Sequence, residues 1–179
     1  MHMATRTRRW TLADLERLPD DGNKYELVRG ELFVTPGPTP GHEIVLSLLS
    51  DQLTPFVRAQ QLGMVLHPRA VVRFEDSEVE PDLMVRRRPA GKGSAWSEWP
   101  APILVVEVLS DSTKQRDRVQ KRQLYAEAGV AEYWIIDPET RSILVVVAGA
   151  ADVVVSDTLM WTPVGASAPL VIKVPHLFG

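Results

Sequence analysis

The chain has 179 residues, which is enough for one domain and too few for two full ones. A hydrophobic fraction of 45% and a charged fraction of 24% are typical of a globular protein and exclude a disordered chain. Cysteine is absent, which excludes disulfide frameworks and thiolate zinc sites, and the net charge of −3 argues against a general nucleic-acid binder. The charge is unevenly distributed, because residues 75–82 are acidic and residues 114–123 are mainly basic.

Residues 1–10 predict a flexible basic arm that precedes a single domain over residues 11–179. Arg6, Arg8 and Arg9 stand in this arm without an acidic residue. That pattern is typical of a solvated tail or of an arm that contacts phosphates. No apolar run reaches the roughly 20 residues that a membrane helix needs, and the N-terminus lacks the apolar segment of a secretory signal. Together with the absence of cysteine, this favours a cytoplasmic protein.

The first half of the chain predicts a short helix, a hairpin, a long helix and further strands. Thr11 and Asp14 form a capping signal for a helix that ends by Leu18. Apolar residues that alternate with polar ones on both sides of Arg29-Gly30 predict a hairpin. Apolar residues spaced three and four apart predict an amphipathic helix over residues 42–61. Strands are then predicted at residues 65–66, 70–74 and 82–86, the first two forming one interrupted strand.

The second half predicts a central strand, a helix and a second hairpin. Residues 103–109 are nearly all apolar and β-branched, which is typical of a strand buried on both faces. Residues 110–113 offer helix caps, residues 114–128 predict a helix, and Gly129 ends it. Further strands are predicted at residues 132–137, 142–148, 153–155 and 170–174. This order predicts an α/β domain in which a mixed β-sheet is flanked by α-helices.

Glu107 stands within the apolar run 103–109. An isolated carboxylate in a buried strand is strongly unfavourable unless it is paired or bound to a cation. Two interpretations remain open: a salt bridge to a nearby basic residue, or a ligand for a divalent metal, which prefers oxygen donors. A metal needs a second carboxylate, and Asp82 begins an earlier strand. A loop between neighbouring strands could bring Asp82 and Glu107 side by side.

The helix that follows Glu107 bears a polar stripe. Asp117, Lys121 and Tyr125 are spaced four apart and share one face. The alternative is an ordinary surface ion pair between Asp117 and Lys121. Two carboxylates and a lysine suit phosphodiester cleavage, because Mg²⁺ or Mn²⁺ activates a water and the lysine stabilises charge on the phosphate. Arginines on the same helix could hold adjacent phosphates, and these are Arg116, Arg118 and Arg122.

At these residues the sequence resembles the Uma family of predicted restriction endonucleases, within the PD-(D/E)XK nuclease superfamily. The resemblance covers about residues 10–178, and the order and spacing of its short motifs make it specific. The matching residues are 25–32 (YELVRGEL), His42, Pro81-Asp82, 102–110 (PILVVEVLS), Ser112-Thr113, Asp117, Lys121, Tyr125, 129–138 (GVAEYWIIDP) and Leu177-Phe178.

The resemblance implies a restriction-endonuclease-like fold and a Mg²⁺- or Mn²⁺-dependent endonuclease that hydrolyses phosphodiester bonds in DNA. It implies that Asp82, Glu107 and the backbone carbonyl of Val108 bind the metal. The superfamily pattern would place a lysine at position 109, where this chain has Leu109. The family resemblance points instead to Lys121 as the catalytic lysine. A homodimer is plausible, because cutting both strands of a duplex often uses two sites.

Glu26 and His42 also match family positions. Glu26 is expected as a supporting residue or a second metal ligand, the alternative being a surface carboxylate beside a turn. His42 is expected to contact the phosphate or orient a water, the alternative being an ordinary residue at a helix N-terminus. Trp96 and Trp99 could stack on bases, bury at a dimer contact or pack within their loop.

Two other functions compete with the endonuclease. The first is a nuclease fold that has lost catalysis and binds nucleic acid or assembles with partners. The presence of Asp82, Glu107 and Lys121 together disfavours it. The second is an unrelated hydrolase with two carboxylates, such as a glycosidase, which would require a sugar-sized aromatic cleft and no metal.

Overall fold

The structure is a computed structural model and describes residues 8–93, 95–110 and 113–179. Its α-helices are α1 (Leu12–Leu15), α2 (Pro40–Ala59) and α3 (Arg122–Glu127), and a π-helical segment, Arg116–Lys121, runs directly into α3. Its strands are β1 (Lys24–Val28), β2 (Glu31–Thr35), β3 (Met64–Leu66), β4 (Val72–Phe74), β5 (Ser77–Val79), β6 (Leu83–Arg86), β7 (Leu104–Val108), β8 (Glu132–Asp137), β9 (Ser142–Val147), β10 (Val153–Val155), β11 (Thr158–Trp161) and β12 (Leu170–Lys173). Short 3₁₀ turns occur at Trp96–Glu98 and Val174–Leu177. No helix among these residues is long and apolar enough to cross a membrane.

The strands form a mixed six-stranded sheet, a four-stranded sheet and a separate hairpin. The six-stranded sheet has the order β10-β9-β8-β7-β6-β3, the four-stranded sheet has the order β2-β1-β5-β4, and β11 pairs with β12. The parallel pair is β7 and β8, joined through the π-helical segment and α3, as a parallel connection requires. The predicted α/β class is therefore confirmed. The expectation of a single sheet is incomplete, because β1, β2, β4 and β5 form the second sheet.

Two apolar layers cover the faces of the six-stranded sheet. On one face, Leu49, Leu53 and Val57 of α2 pack against β6 and β7. On the other face, Leu124 and Tyr125 of α3 join residues of the four-stranded sheet. All five residues of β7 are buried, as its apolar sequence predicts. Glu107 therefore lies between two packed layers.

Local signals explain where the elements begin and end. Thr11 caps α1 through a reciprocal capping box with Asp14, as predicted. Arg29 and Gly30 have φ values of 50° and 85°, the conformation of a two-residue hairpin turn between β1 and β2. Thr39 caps α2 and Pro40 stands in its first turn, so α2 begins two residues before the predicted start. This early start places His42 at the third helical position.

Arg86 fixes the long loop that follows β6, because its guanidinium donates to four backbone carbonyls: Val71, Trp96, Trp99 and Pro100. The side chain is 3% exposed. Arg86→Met is expected to destabilise the protein by about 3 kcal/mol, because four partly buried carbonyls lose a charged donor. Urea unfolding measures this change. Arg87→Met is the matched control, since Arg87 is exposed, and an equal loss in both variants would contradict the assignment.

Candidate functional site

Asp82 and Glu107 lie side by side where β6 begins and β7 ends. These strands are antiparallel, with Leu83 opposite Val106, so one further step of the register places Asp82 opposite Glu107. Directly opposed residues project on the same face of a sheet. The N–H of Val108 donates to Asp82 Oδ2 at 2.9 Å, which ties the Asp82 side chain to the end of β7.

Lys24 and His42 hold the carboxylate of Asp82. Lys24 Nζ lies 2.7 Å from Asp82 Oδ1, and His42 Nε2 lies 3.0 Å from Oδ2. Burial opposes ionisation of Asp82, but Lys24 and His42 outweigh it and hold the pKa of this carboxyl well below its usual range. Asp82 is therefore ionised at neutral pH, and both of its oxygens are occupied by nitrogen donors.

The buried ammonium of Lys121 contacts Glu107. Lys121 Nζ lies 2.7 Å from Glu107 Oε1 and also 2.7 Å from Glu26 Oε1. Tyr125 donates its hydroxyl to the same Oε1 of Glu107 at 2.7 Å. Lys121 and Glu26 are 0% exposed. The salt-bridge interpretation of Glu107 is thus present in the structure, and the surface interpretation of Glu26 is wrong.

Asp117 and Arg116 complete this buried network. Asp117 Oδ1 lies 3.6 Å from Lys121 Nζ, and the hydroxyl of Tyr125 contacts Glu107. The side chains of Asp117, Lys121 and Tyr125 therefore point in the same direction, as predicted. The pair is buried, which excludes an ordinary surface ion pair. Arg116 lies 3.3 Å from Glu26 Oε2, donates to Thr35 Oγ1 and stacks over Phe33.

The two carboxylates beside Lys121 differ in acidity. Burial raises the pKa of Glu107 to about 8, because the attraction of Lys121 does not offset burial and Asp82 adds repulsion. Burial acts on Glu26 as well, but Lys121 and Lys24 outweigh it and hold its pKa below the ordinary value. Burial also disfavours the ammonium of Lys121, yet Glu107 and Glu26 raise its pKa. Lys121 therefore stays charged, and Glu107 is the carboxyl of this pair that protonates more readily.

A cleft of about 1380 Å³ opens in front of the carboxylates. Its lining includes Asp82, Glu107, Val108 and the side chains of Lys24, His42 and Lys114. Lys121 is absent from the described residues that line it, although its amine faces Glu107. Lys24, which the sequence analysis missed, lines the cleft and contacts Asp82.

Comparison with known proteins identifies the family of this chain. A family model described as Uma2, "Putative restriction endonuclease", matches residues 12–164. The chain belongs to this family. The Uma2 model therefore spans most of the domain, from α1 to the residues after β11. Membership supports nuclease activity in general.

The fold of this Uma2-family chain is also found in a solved structure. It is similar to the crystal structure of "a putative nuclease belonging to DUF820" from Anabaena variabilis, with a TM-score of 0.78. The two chains are 22% identical, and the alignment covers 94% of this chain and 97% of that one. The likeness shows the restriction-endonuclease-like α/β fold. A search of curated proteins finds no match.

The remaining predicted residues of this Uma2-family chain divide between the cleft and the surface. His42 contacts Asp82 from the first turn of α2, and its predicted contact with a phosphate or a water stays a prediction. Arg118 pairs with Asp137 and Arg122 pairs with Asp152, and neither belongs to the cleft lining.

The tryptophans of the long loop pack against each other. The rings of Trp96 and Trp99 lie 5.2 Å apart, and Arg86 stacks over Trp99. Among the possible caps of the helix, Thr113 Oγ1 accepts the N–H of Ser110, while Asp111 and Ser112 lie outside the described residues. Residues 1–7 of the predicted basic arm also lie outside the described part of the chain.

Proposed function

We propose that this protein is a metal-dependent endonuclease that hydrolyses phosphodiester bonds in DNA. The observation that carries the proposal is the pairing of Asp82 with Glu107 at the wall of a large cleft, with a charged network behind Glu107. Membership of the Uma2 family supports the same class of reaction. The complete set of two carboxylates and a lysine favours an active enzyme over an inactive binding module.

The residues at the cleft suit a hard divalent cation. Asp82, Glu107 and the carbonyl of Val108 are oxygen donors of the kind that Mg²⁺ and Mn²⁺ prefer. The N–H of Val108 points to Asp82, and an extended strand directs the N–H and C=O of one residue to the same neighbour. Continuing the register places Pro81 opposite Val108, and proline has no N–H for that carbonyl. The carbonyl of Val108 is therefore available as a third ligand.

Asp82 and Glu107 are not part of a larger cluster of metal-binding side chains among the described residues. Within residues 8–93, 95–110 and 113–179, no group of three or more carboxylate, histidine or cysteine side chains is arranged to hold a metal. The proposed ligands are therefore two carboxylates and one carbonyl, with water or phosphate oxygens in the remaining positions. A bound Mg²⁺ or Mn²⁺ would lower the pKa of a water and neutralise charge on the phosphate.

The other predicted residues have supporting roles in this proposal. Lys121 and Tyr125 fix Glu107 Oε1, and Glu26 and Asp117 hold the ammonium of Lys121. Lys121 thus acts as a positioning residue behind a proposed metal ligand. His42 orients Asp82 in the same way.

DNA is the proposed partner, held by cations along the cleft. Lys114 and Arg116 border the cleft on the helix that follows β7. Arg118 and Arg122 are proposed to contact more distant phosphates, for which they must leave Asp137 and Asp152. A homodimer would bring a second site to the opposite strand of a duplex.

Cleavage of supercoiled plasmid DNA by the purified chain tests this function. Nicked and linear products are expected with Mg²⁺ or Mn²⁺ and none with excess EDTA, because the proposed water activation needs the cation. Glu107→Gln, purified identically, controls for contaminating nucleases, since the amide keeps the size of the side chain. Activity that persists in EDTA or in Glu107→Gln would overturn the proposal, as would cleavage of RNA alone.

A further inference from the structure

Lys24 occupies the position at which a cation would approach Asp82. Its Nζ lies 2.7 Å from Asp82 Oδ1 and 2.9 Å from the carbonyl oxygen of Glu80. These two oxygen acceptors belong to residues two apart in the segment between β5 and β6, and both are chemically suitable ligands for a divalent ion. The side chain of Lys24 is 17% exposed and lines the cleft. Lys24 therefore borders the cleft while its ammonium contacts Asp82.

The three partners of Asp82 differ in how easily they can be displaced. The N–H of Val108 belongs to the backbone of a buried strand, and it holds Oδ2. His42 Nε2 also contacts Oδ2, from the first turn of α2. Lys24 contacts Oδ1, and its ammonium stands on a flexible four-carbon side chain. A metal that approaches Oδ1 can leave both contacts to Oδ2 intact and needs to displace Lys24.

We propose that Lys24 is an internal counter-ion that competes with the divalent metal for Asp82 and swings toward the cleft when the metal binds. The proposal rests on the proposed function, because it concerns the same metal ligand. In the metal-free protein, Lys24 keeps Asp82 ionised and in position. The affinity for the metal is lower as a result, because the metal must displace Lys24. The displaced ammonium then adds a positive charge on the side of the cleft from which a phosphate would approach.

Lys114 provides a matched comparison within the same cleft. It carries the same charge and lines the same surface, but its ammonium pairs with Glu139 rather than with Asp82. Lys114→Met therefore removes the same charge from the cleft without removing the competitor of the metal. A general electrostatic effect would change metal affinity equally in the two variants, whereas direct competition would not.

Calorimetric titration of Mn²⁺ into the full metal-free chain, without DNA, tests this competition. Lys24→Met is expected to bind Mn²⁺ about tenfold or more tightly than the wild type, and Lys114→Met about as the wild type does. Lys24→Gln serves if the methionine variant fails to fold, and Lys24→Arg, which keeps the charge, should bind as weakly as the wild type. Unchanged or weaker binding in both neutral variants would overturn the counter-ion role.

The same experiment separates this inference from the proposed function. Equal affinity in wild type and neutral variants, together with Mn²⁺-dependent DNA cleavage, would refute the counter-ion and leave the nuclease standing. Binding in a neutral variant but not in the wild type would support the counter-ion strongly. Absence of Mn²⁺ binding in all of these proteins would overturn both proposals.

Discussion

Replacing Asp82 by asparagine is expected to abolish metal binding and DNA cleavage together. Asparagine has nearly the same shape, so the N–H of Val108 can still donate to its carbonyl oxygen. The substitution removes the negative charge, however, and with it the main attraction for a divalent cation. We expect cleavage to fall by roughly 10³-fold or more, as for the loss of a central electrostatic group in an active site. Plasmid nicking and Mn²⁺ titration on the same preparation measure the two effects.

Asp51→Asn is the matched control for this prediction. Asp51 is exposed on α2 and borders the same cleft, so the substitution removes an equal charge at a distance from the proposed metal ligands. Its cleavage and Mn²⁺ affinity should stay within about twofold of the wild type. If Asp82→Asn remained folded and retained cleavage, the assignment of Asp82 as a metal ligand would be wrong.

The carboxylate pair could be predicted from the sequence because its signals are local. Glu107 interrupts an apolar run that forms a strand buried on both faces, and this anomaly is visible without a structure. The spacing of Asp117, Lys121 and Tyr125 also gave the correct direction, although Arg116–Lys121 is π-helical. The expectation that Asp82 and Glu107 lie side by side requires neighbouring strands, and β6 and β7 are paired in the sheet.

Lys24 was missed because its role depends on contacts between distant segments. It meets Asp82 because β1 pairs with β5, whose end leads into the residues before β6. A weak signal existed, since residues 24 and 26 lie two apart in a strand and therefore share a face. Because Glu26 is a candidate site residue, Lys24 is expected on the same face of β1 as the site.

The second sheet was missed for a similar reason. The predicted interrupted strand over residues 65–74 divides, with β3 in the six-stranded sheet and β4 in the other. β5 lies in the acidic segment, and Ser77 and Val79 are its buried residues. Three residues with one apolar side chain give too short an alternation to be recognised. Pairing with β1 and β4 stabilises this strand, and sequence patterns do not encode such pairing.

Lys121→Met is expected to have the largest effect on stability, because its ammonium is shared by two almost fully buried carboxylates. Glu26 and Glu107 are 0% and 2% exposed, and each contacts Lys121 at 2.7 Å. Removing one partner of a buried ion pair leaves an uncompensated charge and costs about 3–5 kcal/mol. Methionine preserves most of the volume, so the loss would be electrostatic rather than a packing defect. Urea unfolding of the metal-free chain measures the difference.

A second substitution identifies the cause of this loss. Lys121→Met combined with Glu26→Gln removes the orphaned charge together with its partner and should recover about half of the lost stability or more. Lys173→Met, at an exposed position on the separate hairpin, should change stability by less than about 0.5 kcal/mol. If the double variant were as unstable as Lys121→Met, the penalty would come from packing or from Glu107 alone. Recovery would instead show that Lys121 binds the two strands together by neutralising Glu26 on β1 and supporting Glu107 on β7, which makes the ammonium the electrostatic link between the two sheets.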